Sequence, residues 1–337
     1  MSRMIDKIKS HFPSQFLLIV SVLVIVATSC AYGETFSFAV LADPHLNGDV
    51  DRKAKFETAI DWIISNRHDK DIELVFVLGD IAWGRSREKR NLQIAKAILD
   101  RLNNVEIAYI PVIGDNEVHT GCEKEFQDVF EKQFLYLSGT FRNWHKAPVP
   151  VKGQYLQNFS FDYKGCHFVC VDFVSRKATD EGGELHDYAG GSWQWFQNDI
   201  EHCAKPKKEN IVIMTHIGMF RTGFEFADQY LYSESQMNKI KRFLYDYRDY
   251  VDSNYAGHIH QNWHAVVWSG LFVPLYHVRV TDETWYDTAW PESDDQKLTI
   301  RLVQVNNDGP KISYQQHIQN VTREKNNLSK LARQEPS

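Results

Sequence analysis

Three short apolar runs, each closing on an aspartate, alternate with two segments of helical period. Residues 36–42 read FSFAVLA and end at Asp43. Residues 74–78 end at Gly79-Asp80, and residues 107–113 end at Gly114-Asp115. Between them, residues 54–66 set Phe56, Ala59, Ile60 and Ile63 at helical spacing, and residues 92–102 form a second helical segment. Strand–helix–strand–helix–strand in this order calls for a parallel sheet with crossover helices. The fold class is therefore α/β, and such sheets place their sites outside the carboxyl ends of the strands.

Beyond Asp115 the pattern predicts a helix over 124–134 and a hairpin of 155–162 with 165–172 around Tyr163-Lys164. A helix over 193–203, a strand over 211–215, a helix over 235–247 and a short strand over 252–257 follow. Residues 298–305 and 311–317 read as a closing hairpin. Hydrophobic residues make up 43% of the 337, which is ample for a large core and excludes a disordered, collagen-like or multi-span membrane chain. The net charge of −6 implies no basic surface, so nucleic acid is not an expected partner.

The first 33 residues stand apart. A basic stretch (Arg3, Lys7, Lys9) precedes the apolar run FLLIVSVLVIVA at 16–27, and the small residues Thr28, Ser29, Ala31 and Gly33 follow. This is the layout of a secretory signal, and the run is short for a membrane span. Secreted or periplasmic location is the first expectation. The alternative is a membrane anchor facing outside, by retention of the segment or by lipidation at Cys30, and it is the only membrane contact expected. The domain reading is then 1–33 signal, 34–317 one catalytic-type domain and 318–337 a polar tail. Cys122, Cys166, Cys170 and Cys203 remain after export, as two bridges or as buried free thiols. Asn158, Asn320 and Asn327 head glycosylation sequons if the host is eukaryotic.

Metal-type side chains recur at the strand ends. Asp43 and His45 lie two apart after the first strand, Asp80 follows the second and Asp115 the third. His216 ends a later strand, and His258 and His260 lie two apart after Gly257. Three carboxylates and four imidazoles suit Mn, Fe or Zn. Seven ligands exceed one tetrahedral site and suffice for two divalent ions sharing a bridging carboxylate.

The blocks Asp43-Pro44-His45, Gly79-Asp80, Gly114-Asp115-Asn116-Glu117, His216 and Gly257-His258-Ile259-His260 follow in a fixed order. That order resembles the calcineurin-like metallophosphoesterase family, which includes the purple acid phosphatases. The family reads Asp-x-His, Gly-Asp, Gly-Asn-His-Asp/Glu, His, Gly-His-x-His, and the stretch around Trp195 is similar to its Trp-Leu segment. The resemblance implies a two-sheet αββα sandwich. It implies that Asp43, His45 and His260 hold one metal, that Asp115, His216 and His258 hold the other, and that Asp80 bridges them. The implied activity is hydrolysis of phosphate mono- or diesters by a metal-bound hydroxide at a binuclear site.

The third block departs from the family. Asp115 replaces its Asn and adds a negative charge. Asn116 replaces its His, and an amide can donate a hydrogen bond but cannot deliver a proton. Asn116 is carried as a catalytic position with Asp80. His119, three residues on, is a candidate substitute with an exposed loop histidine as the plainer reading, and Glu117 is a supporting acceptor or a loop acid. Substrate contacts are expected from Trp83 and His119, with Arg85, Arg87 and Arg221 as further phosphate candidates. The aromatic stretch Trp263, Trp268, Tyr276, Trp285, Tyr286 and Trp290 fits a ring-binding wall or core packing under a long loop. The expected partner is a small-molecule or phosphorylated substrate. The readings in competition are a general phosphoesterase, a diesterase specialised for good leaving groups, and a metal-binding pseudoenzyme or binding protein on the same fold.

Overall fold

A computed structural model describes residues 35–83, 88–177, 182–207, 210–221, 225–260, 263–268, 274–282, 299–307 and 312–320. The signal-type segment, Arg85, Arg87, Trp285, Tyr286, Trp290 and Asn327 lie outside them. Among the described residues no helix is long and apolar enough to cross a membrane.

The alternating part folds as β1 (Phe36–Leu41), α1 (Val50–Asn66), β2 (Ile72–Leu78), α2 (Glu88–Asn103) and β3 (Ala108–Val112). β1, β2 and β3 pair in parallel. They are apolar almost throughout because both faces of the sheet are covered. α1 begins four residues before the apolar period does. Asp49 caps it, with Oδ1 accepting from Asp51 N at 2.6 Å, and Phe56, Ala59, Ile60 and Ile63 form its buried stripe.

The chain continues through α3 (Asp115–His119), α4 (Glu123–Thr140), β4 (Arg142–Lys146), β5 (Phe159–Tyr163), β6 (Cys166–Cys170), α5 (Ser192–Lys207), β7 (Asn210–Met214), α6 (Glu225–Asp228), α7 (Glu234–Asp246), β8 (Val251–Ala256), β9 (Trp263–Trp268), β10 (Pro274–Asp282), β11 (Thr299–Asn306) and β12 (Ser313–Asn320). The first sheet has the order β12-β11-β1-β2-β3 and the second β4-β5-β6-β7-β8-β10-β9. β6, β7, β8 and β10 run parallel to one another.

The two sheets stack through aromatic side chains. Phe38 of β1 lies edge-on to Phe168 of β6 and to Tyr255 of β8, both at 5.5 Å between centroids. Phe76 of β2 meets Phe168 at 5.2 Å. α1, α2 and α4 pack in sequence beside the first sheet, and α5 packs on β6 and β7 of the second. This is the expected αββα sandwich.

Four expectations change. Trp263, Trp268 and Tyr276 of the aromatic stretch fall on β9 and β10, two strands absent from the expected pattern, with β10 inserted beside β8. β12 runs to Asn320, three residues into the supposed tail. Cys122, Cys166 and Cys170 are free thiols, which removes the two-bridge arrangement. Asn158 is buried, its Nδ2 donating to Ser192 Oγ at 3.0 Å and its Oδ1 accepting from Asp172 N at 2.8 Å, so its sequon is closed to a glycan on the folded chain.

Candidate metal centre

The strand ends of both sheets open on one side of the sandwich. Asp43 and His45 leave β1, Asp80 leaves β2, Asp115 opens α3 after β3, His216 leaves β7, and His258 and His260 leave β8. Backbone bonds lace these ends together. His45 N donates to Asp80 O at 2.9 Å, Leu46 N to Ile81 O at 3.0 Å, and Gly257 N to His216 O at 3.0 Å. Two further bonds cross between the sheets. His216 Nδ1 donates to Leu78 O at 2.7 Å, and the Asp43 carboxylate accepts from His258 N at 3.0 Å.

The local backbone is strained where the side chains converge. Asp43, His45, Asp80, His258 and His260 all have φ between 47° and 77°. A left-handed residue with a side chain costs about 1 kcal/mol, and such residues cluster where the surroundings hold a site in place. Gly114 serves close approach instead: a Cβ there would lie 2.1 Å from Asp80 N.

Three donor groups result, each with its ligand atoms within 4.8 Å of one another: Asp43, His45 and His260; Asp115, His216 and His258; and Asp43, Asp80 and His216. Asp80 sits between the first two. Its Oδ2 is 2.9 Å from His45 Nε2 and its Oδ1 is 3.3 Å from His216 Nε2. Asp43, Asp80 and His216 are almost fully buried.

The donor set fits divalent metal ions. His216 gives its Nδ1–H to Leu78 O, and His258 gives its Nε2–H to Tyr230 O at 3.1 Å. Each backbone carbonyl takes one ring N–H, so His216 Nε2 and His258 Nδ1 are the nitrogens that face Asp115 Oδ1 at 2.8 and 3.0 Å, where each carries a proton to the carboxylate or, with that proton displaced, a lone pair for a metal ion. Electrostatics point the same way. Burial pushes Asp115 up, but His258 and His216 outweigh it and hold its carboxyl well below the usual range. Burial pulls His216 down, but Asp80, Asp115 and Asp43 outweigh it and hold the imidazole well above its usual range. Packed carboxylates therefore demand positive charge here, which a proton or a metal ion can supply.

The third block has a distinct arrangement. Asn116 N donates to Asp80 Oδ1 at 2.9 Å, its Nδ2 donates to Asp80 Oδ2, and that Nδ2 is 3.3 Å from His45 Nε2. Asn116 thus faces the centre. His119 is not an exposed loop residue. It ends α3, half-buried, with Nδ1 3.8 Å from Asp115 Oδ2 and Nε2 without a partner among the described residues. Glu117 is a buried acceptor. Its Oε2 takes Gly114 N at 2.8 Å and Asp80 N at 3.1 Å, and its Oε1 takes Ala82 N at 2.9 Å. Burial and the Asp80 charge push it up to about 8.

Trp83 lies 5.7 Å from His45 between ring centroids and is partly exposed. Arg221 is exposed. The backbones of Trp263, Trp268 and Tyr276 fall on β9 and β10. Sequence reasoning passed over Glu88, Tyr230 and Arg52. Glu88 is buried with neither carboxylate oxygen partnered among the described residues, and burial with the Asp80 charge pushes it up to about 7. No local pattern marks these three, since they approach the strand ends only in the folded chain.

The calcineurin-like phosphoesterase family model matches residues 36–262, which span β1 through the last of the candidate ligands. The chain belongs to the calcineurin-like phosphoesterase family. It is therefore a metal-dependent phosphoric ester hydrolase, and the family implies a dimetal site. Among solved structures, this calcineurin-like phosphoesterase is similar in fold to a dimetal phosphatase from Danio rerio. That match has a TM-score of 0.53 at 13% identity and covers 83% of this chain and 98% of that one. It is also similar to a purple acid phosphatase from yellow lupin (Lupinus luteus) seeds, with a TM-score of 0.57 at 11% identity over 86% of this chain. The match spans 52% of the lupin chain, about half its length. No curated protein matches by sequence.

Proposed function

We propose that this chain is an exported phosphoesterase that hydrolyses phosphate mono- or diesters at a binuclear centre, with preference for leaving groups that depart without a proton. The observation that carries the reading is the convergence of seven donors from two sheets, with the His216 and His258 tautomers fixed for ligation. Asp43, His45 and His260 would hold one ion, Asp115, His216 and His258 the other, and Asp80 would reach both. Mn, Fe or Zn suits this mixture of imidazole and carboxylate. Bound there, the pair supplies Lewis acidity toward phosphoryl oxygens and an activated water near neutral pH.

The protein's own groups then decide which esters react. Asn116 donates from its amide at the edge of the centre and orients an oxygen of the substrate by a hydrogen bond. It has no proton to give a leaving alkoxide. Aryl esters and diesters with acidic leaving groups are therefore the favoured class. Glu117 keeps the β2 and β3 ends in register through its three backbone bonds, and so positions Asp80. Export rests on the basic, apolar and small-residue succession in residues 1–33.

The test is hydrolysis of nitrophenyl phosphate and bis-nitrophenyl phosphate by the Mn-, Zn- or Fe-loaded chain beside Asp80→Asn. Turnover lost in the variant supports the reading. An absence of turnover with two ions bound would remove it.

A further inference from the structure

Six large hydrophobic side chains are exposed among the described residues. Val50, Leu135, Tyr136 and Tyr245 stand on helices α1, α4 and α7. Isolated exposed residues of that kind need no explanation. Trp83 and Tyr230 differ, because each lies against a histidine of a different donor group. Trp83, 39% exposed, packs on His45, whose ring lies 5.0 Å from that of His260. Tyr230, 37% exposed, packs edge-on to His258 at 6.2 Å, whose ring lies 5.1 Å from that of His216.

Both aromatics are fixed at the backbone. Trp83 N donates to Leu46 O at 2.9 Å, and Trp83 O accepts from buried Asn91 Nδ2 at 3.3 Å. The Tyr230 carbonyl accepts from His258 Nε2 at 3.1 Å. The Trp83 ring is braced as well. The Arg52 guanidinium sits 5.1 Å from its centroid, and Arg52 Nη1 donates to His45 O at 3.4 Å. A cation against one part of an indole is favourable, and it leaves the exposed area on the rest of the ring. Two anchored, half-exposed rings beside the two halves of one metal centre offer flat apolar faces to whatever the phosphate carries. Stacking on such faces rewards a planar group over a saturated one.

We propose that Trp83 and Tyr230 are specificity-determining walls that select phosphate esters bearing a flat ring, an aryl group or a nucleobase. This rests on the phosphoesterase reading of the centre and names the substrate class for it. Trp83 meets the part of the substrate on the Asp43–His45–His260 side, and Tyr230 the part on the Asp115–His216–His258 side.

The experiment compares matched pairs on the full, Mn-loaded chain: benzyl against cyclohexylmethyl phosphate, and adenosine 5′-phosphate against ribose 5-phosphate. Within each pair the reacting bond is alike, and only the flat ring differs. The expected result is a preference of about tenfold or more in kcat/KM for the ring-bearing member, carried mainly by KM. The preferred pair identifies the ring as aryl or nucleobase. Trp83→Leu and Tyr230→Leu lower the flat-to-saturated ratio, while Trp83→Phe and Tyr230→Phe largely restore it.

Equal losses on both members of a pair, or no ring preference in the wild type, overturn the proposal and leave the phosphoesterase reading standing. Calorimetry with benzylphosphonate and cyclohexylmethylphosphonate reads the same preference without turnover. If no ester is hydrolysed, nitrophenyl phosphate included, but benzylphosphonate still binds about tenfold tighter, the reaction assignment fails and the aromatic walls stand. Equal phosphonate affinities remove them.

Discussion

The Nδ1–H of His216, at the end of a strand in one sheet, donates to the carbonyl of Leu78, at the end of a strand in the other, across 2.7 Å. That bond joins the two halves of the sandwich at the metal centre. It also sets the tautomer that turns Nε2 toward Asp115 and Asp80. Gly79, next to Leu78, makes room for it. Its φ is +83°, and a Cβ there would come within 2.4 Å of His216 Nδ1.

Gly79→Ala therefore faces both a left-handed backbone and a collision with the candidate ligand His216. It is expected to cost about 2 kcal/mol or more and to reduce metal content. Denaturant midpoints and metal analysis of the purified variant check this. Wild-type values in both would mean that the His216 position is not set by this contact.

Glu117→Gln retains size but replaces one accepting oxygen with an amide that faces backbone N–H groups. At least one of the three bonds to Gly114, Asp80 and Ala82 is lost. A cost of about 1–3 kcal/mol is expected, with weaker metal retention because Asp80 loses its tether. Thermal unfolding of the metal-loaded and metal-free variant reads both effects.

Every candidate ligand was readable because each lies within a few positions of the end of an expected strand, and strand ends meet in space. Glu117 was half-readable, because a carboxylate three residues after a helix start reaches back to the N-cap. Its bonds to Asp80 and Ala82 join separate strands, and no spacing announces them. Glu88, Arg52 and Tyr230 reach the site by tertiary packing alone. β4 was passed over because RNWHK is an edge strand whose polar side chains face water. β9 and β10 were passed over because a run of aromatics suggests loop cover as readily as sheet.

Asp199 gives the fold an acid-sensitive joint outside the set of candidate ligands. It accepts from Ser160 Oγ at 2.7 Å and faces His167 Nε2 at 2.9 Å and His145 Nδ1 at 3.3 Å. Burial raises its carboxyl, but those three partners outweigh burial and bring it down to about 2. A folded pKa below the unfolded 3.8 means stability present above that value and lost as pH falls toward 2. About 2 kcal/mol is at stake. Asp199→Asn should flatten the stability profile between pH 4 and about 2 in urea titrations. An unchanged slope would contradict the coupling.

Asn116→His restores a proton donor beside Asp80 and His45. Turnover of alkyl esters, whose alkoxides need protonation, should rise by about tenfold or more, while nitrophenyl esters gain little. Equal gains on both would mean that Asn116 does not limit the leaving-group step.

The most direct measurement is the metal content of the purified chain after loading with Mn or Zn, beside Asp80→Asn. Two ions per wild-type chain are expected, with the variant losing at least one and its turnover. One ion or none in the wild type, or two ions held undiminished by the variant, would contradict a binuclear centre shared through Asp80.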